Sequence, residues 1–472
     1  MNIMSLLNRL VPGNTGLAAD SFISGLGIMF GFIKRVFGMG GGEAAPINGG
    51  SSSPDVQVIS APVVAVRKAS PVVLLRDEII DARTRIAGYR FSARRPDSEL
   101  VADAASTLEI LTANNVAAFA ARRLALIPLS QDDWTQHDYT PLIGPMTTFL
   151  LALPDGTKVS DDWNAVAAAI HGAGARIALA AGDIVTHRQT ILEHADYLLL
   201  DFSALSLSSL EVLLRSLRQE KPGLELIADK VRRWPEHRYC VSHGIAYCLG
   251  SFTTEPDEEQ QAKEIGQSQL VLIEMLNQLR KDAELADIAQ IAKRDPGVIV
   301  KVMAMANSPM VGLAQPVTSI DQAIMVLGRE QLYRWLSIGM FRAGAASPRD
   351  EVLLELALAR GRFLELLGQE KHSKLECDEF FLLGLLSLLD SLLGLPMSAV
   401  VGKLNLLPAL SEALLNSSGP LARYLMLSIA VEKGRVQNVA RLADELGYSL
   451  EAIESASVEA IGWAEEAVNL TK

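Results

Sequence analysis

The sequence predicts an α/β barrel followed by an all-α domain, on three observations. Eight short apolar runs alternate with helical stretches between residues 70 and 256, strand signals stop after Asp257, and residues 1–69 fit neither pattern. The runs are 72–75, 86–91, 124–129, 147–153, 176–181, 197–202, 224–230 and 245–252. Between most of them lie longer segments such as 98–122 and 206–219, where Leu, Val and Ala recur at the spacing of an amphipathic helix. Strands that alternate with helices make a mainly parallel sheet, and eight of them predict a closed barrel.

From Asp257 onward the pattern is helical. Leu270, Ile273, Leu276 and Leu279 recur at three-residue steps and place a first helix over about 257–280, which joins the two domains. Leu285, Ile288 and Ile291 mark a second. Asp295 and Pro296 supply an N-cap and a proline at the first helical position. Ser319 and Gln322 form a capping box for a helix that Gly328 would end. The predicted organisation is therefore a leader and flexible linker (1–69), a barrel (70–256) and a helical domain (257–472).

Composition bounds the function. Hydrophobic residues make up 49% of the 472 positions and charged residues 21%, the balance of a globular chain. A formal net charge of −12 repels phosphate backbones and no basic patch offsets it, so no nucleic-acid partner is expected. Cys240, Cys248 and Cys377 are too few for a disulfide framework, which makes the cytoplasm the expected compartment. The uncharged run 21–33 is too short for a helix that crosses roughly 30 Å of hydrocarbon. With Lys34 and Arg35 behind it, it reads as a leader, an overlong start with Met29 as the true first residue, or a weak membrane-surface contact. Residues 39–62, rich in Gly, Ser and Pro, read as a flexible linker.

Two resemblances add to this reading. Residues 76–81 (RDEIID) with 86–94 (IAGYRFSAR), and later 226–231 (LIADKV) with 243–256 (HGIAYCLGSFTTEP), resemble the opening and closing motifs of EAL domains, barrel phosphodiesterases of cyclic di-GMP. Such an enzyme activates water with two divalent ions held by carboxylates and an Asn at the C-terminal strand ends. By this resemblance the signature Glu falls on Arg90, the Asn on Pro128 and the next Glu on Ala152. The paired aspartates fall on Ala180 and Ala181, the Lys on Leu199, and the late Glu and Gln on Asp229 and Leu249. A cation cannot ligate a cation, and alanine and proline carry no ligand atom. The resemblance thus implies a degenerate EAL domain with no catalytic residues, no metal and no cofactor. Arg94 aligns with a phosphate-binding arginine and Asp201 is retained, so both are candidate ligand-binding residues. The simpler reading is a salt-bridged surface arginine and a strand-end hydrogen-bond acceptor.

Asp295-Pro296-Gly297, 305–308 (MANS), 319–323 (SIDQA) and Leu327-Gly328 resemble the hallmark run of HDOD domains, HD-like helical domains without the metal site, and 356–367 and 380–393 extend it. His372 is the only histidine after residue 256, and one histidine cannot supply an HD-type metal cluster. Asn307 and Ser308 read as helix termination and side-chain capping rather than as ligand contacts. Tyr333 and Trp335 read as core rather than as an interface hot spot. His237, Cys240, His243 and Cys248 lie within twelve residues as compact zinc ligands do, but the spacing fits no zinc pattern, so buried cysteines with surface histidines is the preferred reading.

Both halves keep a fold and lack reactive groups. The expected function is a non-enzymatic signal-transduction adaptor or scaffold in a cyclic di-GMP-related or two-component network, acting on other signalling proteins, with a homodimer among the expected assemblies. The alternatives are a cyclic di-GMP sensor without hydrolysis and, behind it, an active phosphodiesterase.

Overall fold

The computed structural model describes residues 72–470 apart from 97–99, 154–158, 181–186, 205, 256, 258–264, 308–310, 312, 314 and 343–347. The apolar run 21–33 and the linker 39–62 lie outside the described residues.

All eight predicted runs form strands, and the strands close into a barrel in sequence order. They are β1 Val73–Asp81, β2 Ile86–Arg94, β3 Leu124–Leu129, β4 Thr147–Leu151, β5 Arg176–Ala180, β6 Tyr197–Asp201, β7 Glu225–Asp229 and β8 Tyr247–Leu249. From β2 to β8 the neighbours run parallel, whereas β1 is antiparallel to both β2 and β8. The reason is local. Asp81 accepts the backbone N–H groups of Arg83 and Arg85 at 2.9 Å and holds the Arg85 guanidinium at 2.8 Å. This closes a tight turn that leaves no room for a helical crossover. Ile79, Leu124, Leu126, Ala178, Tyr197, Leu199, Ile227 and Leu249 form one buried cluster that fills the barrel, with bulky apolar side chains in most places as barrel interiors require.

The barrel helices include α1 Ala104–Ala113, α2 Asp161–Gly172, α3 Leu207–Glu220 and α4 Trp234–Ser242. Ser160 and Ser206 cap α2 and α3 by accepting the backbone N–H groups of Trp163 and Ser209. The predicted 98–122 helix is broken by Asn115, which takes a left-handed conformation at φ 51°.

The helices beyond the barrel are α5 Gln267–Arg280, α6 Leu285–Ala292, α7 Pro296–Ala306, α8 Ile320–Gly339, α9 Pro348–Gln369, α10 Lys374–Leu386, α11 Ala422–Glu432, α12 Val436–Leu446 and α13 Leu450–Leu470, with shorter ones between. By packing, the described chain divides into two compact units. One is Leu285–Leu332. Here Asp295 caps α7 by accepting from Gly297 N and Val298 N at 2.7 and 3.1 Å, as the sequence predicts. Asn307 ends that helix and bonds Val317 twice through its side-chain amide, which is the capping role expected of it; Ser308 lies outside the described residues. Gly328, at φ 69°, interrupts α8 where a helix end was expected.

The other unit joins the barrel to α5 and to residues 333–470. Its hinge element is β1. Val73 and Leu75, on one face of the strand, belong to the same buried cluster as Phe363, Phe380, Leu427 and Val439 of α9 to α12. The Leu74 backbone N donates to Glu454 Oε1 at 2.9 Å, and on the face opposite Val73 and Leu75 the Arg76 side chain donates from Nη1 to Ser457 Oγ at 2.8 Å, both partners on α13. Arg123, just before β3, bonds both oxygens of Glu355 on α9 (2.6 and 3.2 Å) and lies 3.1 Å from Glu465 on α13. The first half of β1 is thus built into the helical core on both faces.

Candidate functional site

In a parallel barrel the inward side chains at the C-terminal strand ends form the mouth where ligands bind. Side chains alternate along each strand, so the buried cluster fixes which residues turn inward. Arg90 pairs with inward Leu126, and Pro128 lies two residues beyond it. Ala180 follows inward Ala178, and Asp229 follows Ile227. Ala152 lies two past Leu150, which packs on the same cluster. Leu199 and Leu249 are members of the cluster themselves. Ala181 lies outside the described residues. The barrel mouth therefore presents Pro128, Ala152 and Ala180, all exposed, around Arg90 and three aspartates, Asp77, Asp201 and Asp229.

Arg90 is the centre of that mouth. Its Nη2 and Nε lie 2.8 and 2.9 Å from Asp77 Oδ2 on β1, and its Nη1 donates to Asp229 Oδ2 on β7 at 2.8 Å. Burial works to lower the Arg90 pKa, but the two carboxylates more than offset it and raise the pKa above the usual arginine value. Asp229 also accepts Lys230 N at 2.9 Å. The residue after it, Lys230, takes a left-handed backbone at φ 63° and brings its Nζ to 2.5 Å from Asp201 Oδ2. Asp201 accepts from Ser203 as well, through both N and Oγ. Led by the Lys230 hydrogen bond, these contacts hold the Asp201 carboxyl down at about 2. Each acidic group at the mouth thus faces a cation supplied by the chain itself.

These contacts decide whether divalent ions fit. Metal-ligating carboxylates need free lone pairs and several oxygens within about 2.1–2.6 Å of one point. Here Asp229 and Asp201 are engaged by Arg90 and Lys230, and the neighbouring strand ends carry Pro128, Ala152 and Ala180. The residues present do not fit a two-metal centre. Among the described residues no group of three His, Cys, Asp or Glu side chains is placed to hold a metal ion.

Arg94, at the exposed end of β2, bridges Val101 through its backbone, and the pair around Arg90 does not include it. Asp77 and Lys230 were not picked out from the sequence. Asp77 was legible in principle, because pairing RDEIID with IAGYRFSAR as a hairpin sets it opposite Arg90; Lys230 depends on a backbone conformation that sequence does not announce. The cysteine and histidine group behaves differently from the expected buried cysteines and surface histidines in one respect. Cys240 and Cys248 are buried, and so is His237, stacked on Phe252 with ring centroids 4.9 Å apart and edge-on to Trp234. An imidazole with one ring stacked on it and another edge-on is covered largely by apolar surface, and that burial lowers its pKa. His372 hydrogen-bonds the Tyr424 hydroxyl at 2.9 Å and packs on Phe380.

Comparison with known proteins finds one family model and several similar chains. The model of the HDOD domain matches residues 268–396. The chain is 22% identical over 279 residues to a Vibrio cholerae protein named cyclic di-GMP phosphodiesterase CdgJ, covering 59% of this chain and 64% of that one. It is 28% identical over 246 residues to Bacillus subtilis YuxH, covering 51% of this chain and 59% of that one. The chain thus spans about three-fifths of the length of the curated relatives it matches. Among solved structures, an EAL domain protein of Listeria monocytogenes is similar at 15% identity and a TM-score of 0.30, over 39% of this chain and 88% of that one. Klebsiella pneumoniae BlrP1 with calcium and cyclic di-GMP is similar at 17% identity and a TM-score of 0.31, over 38% of this chain and 54% of that one. Among the described residues no helix is long and apolar enough to cross a membrane. The chain carries an HDOD domain at residues 268–396, behind a closed eight-stranded barrel.

Proposed function

We propose that this protein is a non-enzymatic signal-transduction adaptor of a cyclic di-GMP-related network, acting through protein contacts. One observation carries the reading: the Arg90 guanidinium, clamped between Asp77 and Asp229, occupies the barrel mouth with a fixed positive charge. The Asp77 and Asp229 oxygens that would serve as ligands are engaged by that guanidinium, so a metal ion would have to displace it before gaining them. Lys230 holds the only other mouth aspartate the sequence singled out. These engaged carboxylates support a barrel that does not activate water with metal, in contrast to the activity that the name of the Vibrio cholerae relative gives to that protein. What such a barrel keeps is shape, and a rigid barrel built into a helical body is a platform for partners.

Metal binding tests the reading. Calorimetric titration of the full chain with Mn²⁺ alone should give no stoichiometric uptake. Stoichiometric uptake abolished by Asp229→Asn would overturn it.

A further inference from the structure

We propose that a small phosphorylated ligand binds beside the barrel mouth, in a cavity that the helical half completes with Lys433 and Arg435. The cavity measures about 250 Å³. Its barrel wall is Asp77, Arg90 and the 250–254 segment, with Ser251, Thr253 and Thr254, and its helical wall is Glu432, Lys433 and Arg435. At roughly 30 Å³ per water, it has room for a diphosphate and part of its hydration shell.

The charges on the wall divide into spent and unspent. Asp77 is held by Arg90, whose remaining Nη1 goes to Asp229. Glu432 accepts two bonds from Arg360, at 2.8 and 2.6 Å. Glu78 also lines the cavity; burial pushes its carboxyl up to about 8, while the nearby Lys433 works in the opposite direction. Lys433 and Arg435 remain, both exposed; Lys433 acts on the Glu78 carboxyl from beyond ion-pair distance, and Arg435 forms no ion pair among the described residues. The unspent charge of the wall is positive, and hydroxyl groups line the side opposite, which suits an acceptor-rich dianion.

The two cations are also held in place. Gly434 N donates to Val431 O at 3.2 Å and Arg435 N to Ala430 O at 2.9 Å. This is the Schellman pattern that ends α11, with Gly434 in the left-handed region at φ 60°. Leu75 of β1 lies 3.4 Å from where a Gly434 side chain would begin, so the turn is seated on the barrel strand. Arg435 in turn sits at the N-cap of α12, whose first N–H groups and dipole favour an anion. A rigid turn loses little conformational entropy when its side chains close on a ligand.

The test uses the full chain, inorganic pyrophosphate and EDTA, so that divalent metal plays no part and the outcome is separate from that of the Mn²⁺ titration. At constant ionic strength, calorimetry should show saturable binding of one pyrophosphate per chain. The double variant Lys433→Gln/Arg435→Gln should weaken it at least tenfold with circular dichroism unchanged. Gly434→Ala, which keeps both charges and strains the turn, should weaken it severalfold. Absence of saturable binding, undiminished binding by the double variant, or equal weakening by Lys281→Gln/Lys374→Gln, which removes two cations elsewhere on the surface, would each overturn the proposal.

Discussion

Arg90 on β2 and Asp229 on β7 meet at 2.8 Å across a barrel in which β1 and β8 stand between their strands. The bond therefore spans the mouth, and with Asp77 on β1 it ties three strands together at the end where ligands enter such barrels. Arg90→Ala leaves two neighbouring carboxylates without their cation. The expected cost is about 1–3 kcal/mol, the usual penalty of a charged hydrogen-bonding group that has lost its partner, read as a lower midpoint in urea denaturation. Arg90→Glu should lower it further by setting a third carboxylate beside the other two, and should produce no metal-dependent turnover.

The eight strands were legible because strands buried on both faces read as unbroken apolar runs, and 124–129 and 197–201 coincide with the runs nearly to the residue. The cap at Asp295 was equally legible, since a cap is a local event. What escaped sequence was the merger of β1 with the C-terminal helices. Leu74 and Glu454 are 380 positions apart, and nothing local announces their bond. Val73 and Leu75 looked like any barrel strand, yet they serve the helical core. For the site, sequence located Arg90, Asp201 and Asp229, while their partners Asp77 and Lys230 depended on register and on a left-handed residue.

The seam between β1 and the helices should respond to pH. Burial raises the Glu78 carboxyl from its ordinary value near 4.5 to about 8 and the Glu454 carboxyl to about 7. Between those limits the folded chain holds protons that the unfolded chain has released. The stability these two groups contribute is therefore fully present below the ordinary value and is lost as pH rises through 5 to 8, at up to about 1.4 kcal/mol per pH unit for each group while it titrates. Glu78→Gln should flatten this fall, so that the variant gains on the parent from pH 5 to pH 8. Thermal melts at three or four pH values check it; parallel curves would contradict it.

Arg360 is buried on α9, pairs in two-pronged fashion with Glu432 and donates to Ser387 Oγ at 2.6 Å. Burial works to lower its pKa, and Glu432 outweighs that and raises it. Arg360→Ala should cost about 3–5 kcal/mol, the range seen when one partner of a buried pair is removed. Arg360→Met with Glu432→Leu should recover most of it. A small loss in the single variant would show that the pair is solvated.

Gly250 follows β8 at φ 153°, and a side chain there would start 1.7 Å from the Val231 carbonyl oxygen. Backbone cannot yield as a flexible side chain does. Gly250→Ala should destabilise the barrel by about 2–4 kcal/mol, measured by urea denaturation followed through tryptophan fluorescence.

The most direct test of the adaptor reading is hydrolysis. Purified full chain is incubated with cyclic di-GMP and, in turn, Mg²⁺, Mn²⁺ and Ca²⁺, and the linear dinucleotide product is followed by chromatography over several hours. The mouth closed by Arg90, Asp77 and Asp229 predicts no product above the protein-free control with any ion. Metal-dependent product that disappears in Asp229→Asn would contradict it and make the barrel an enzyme.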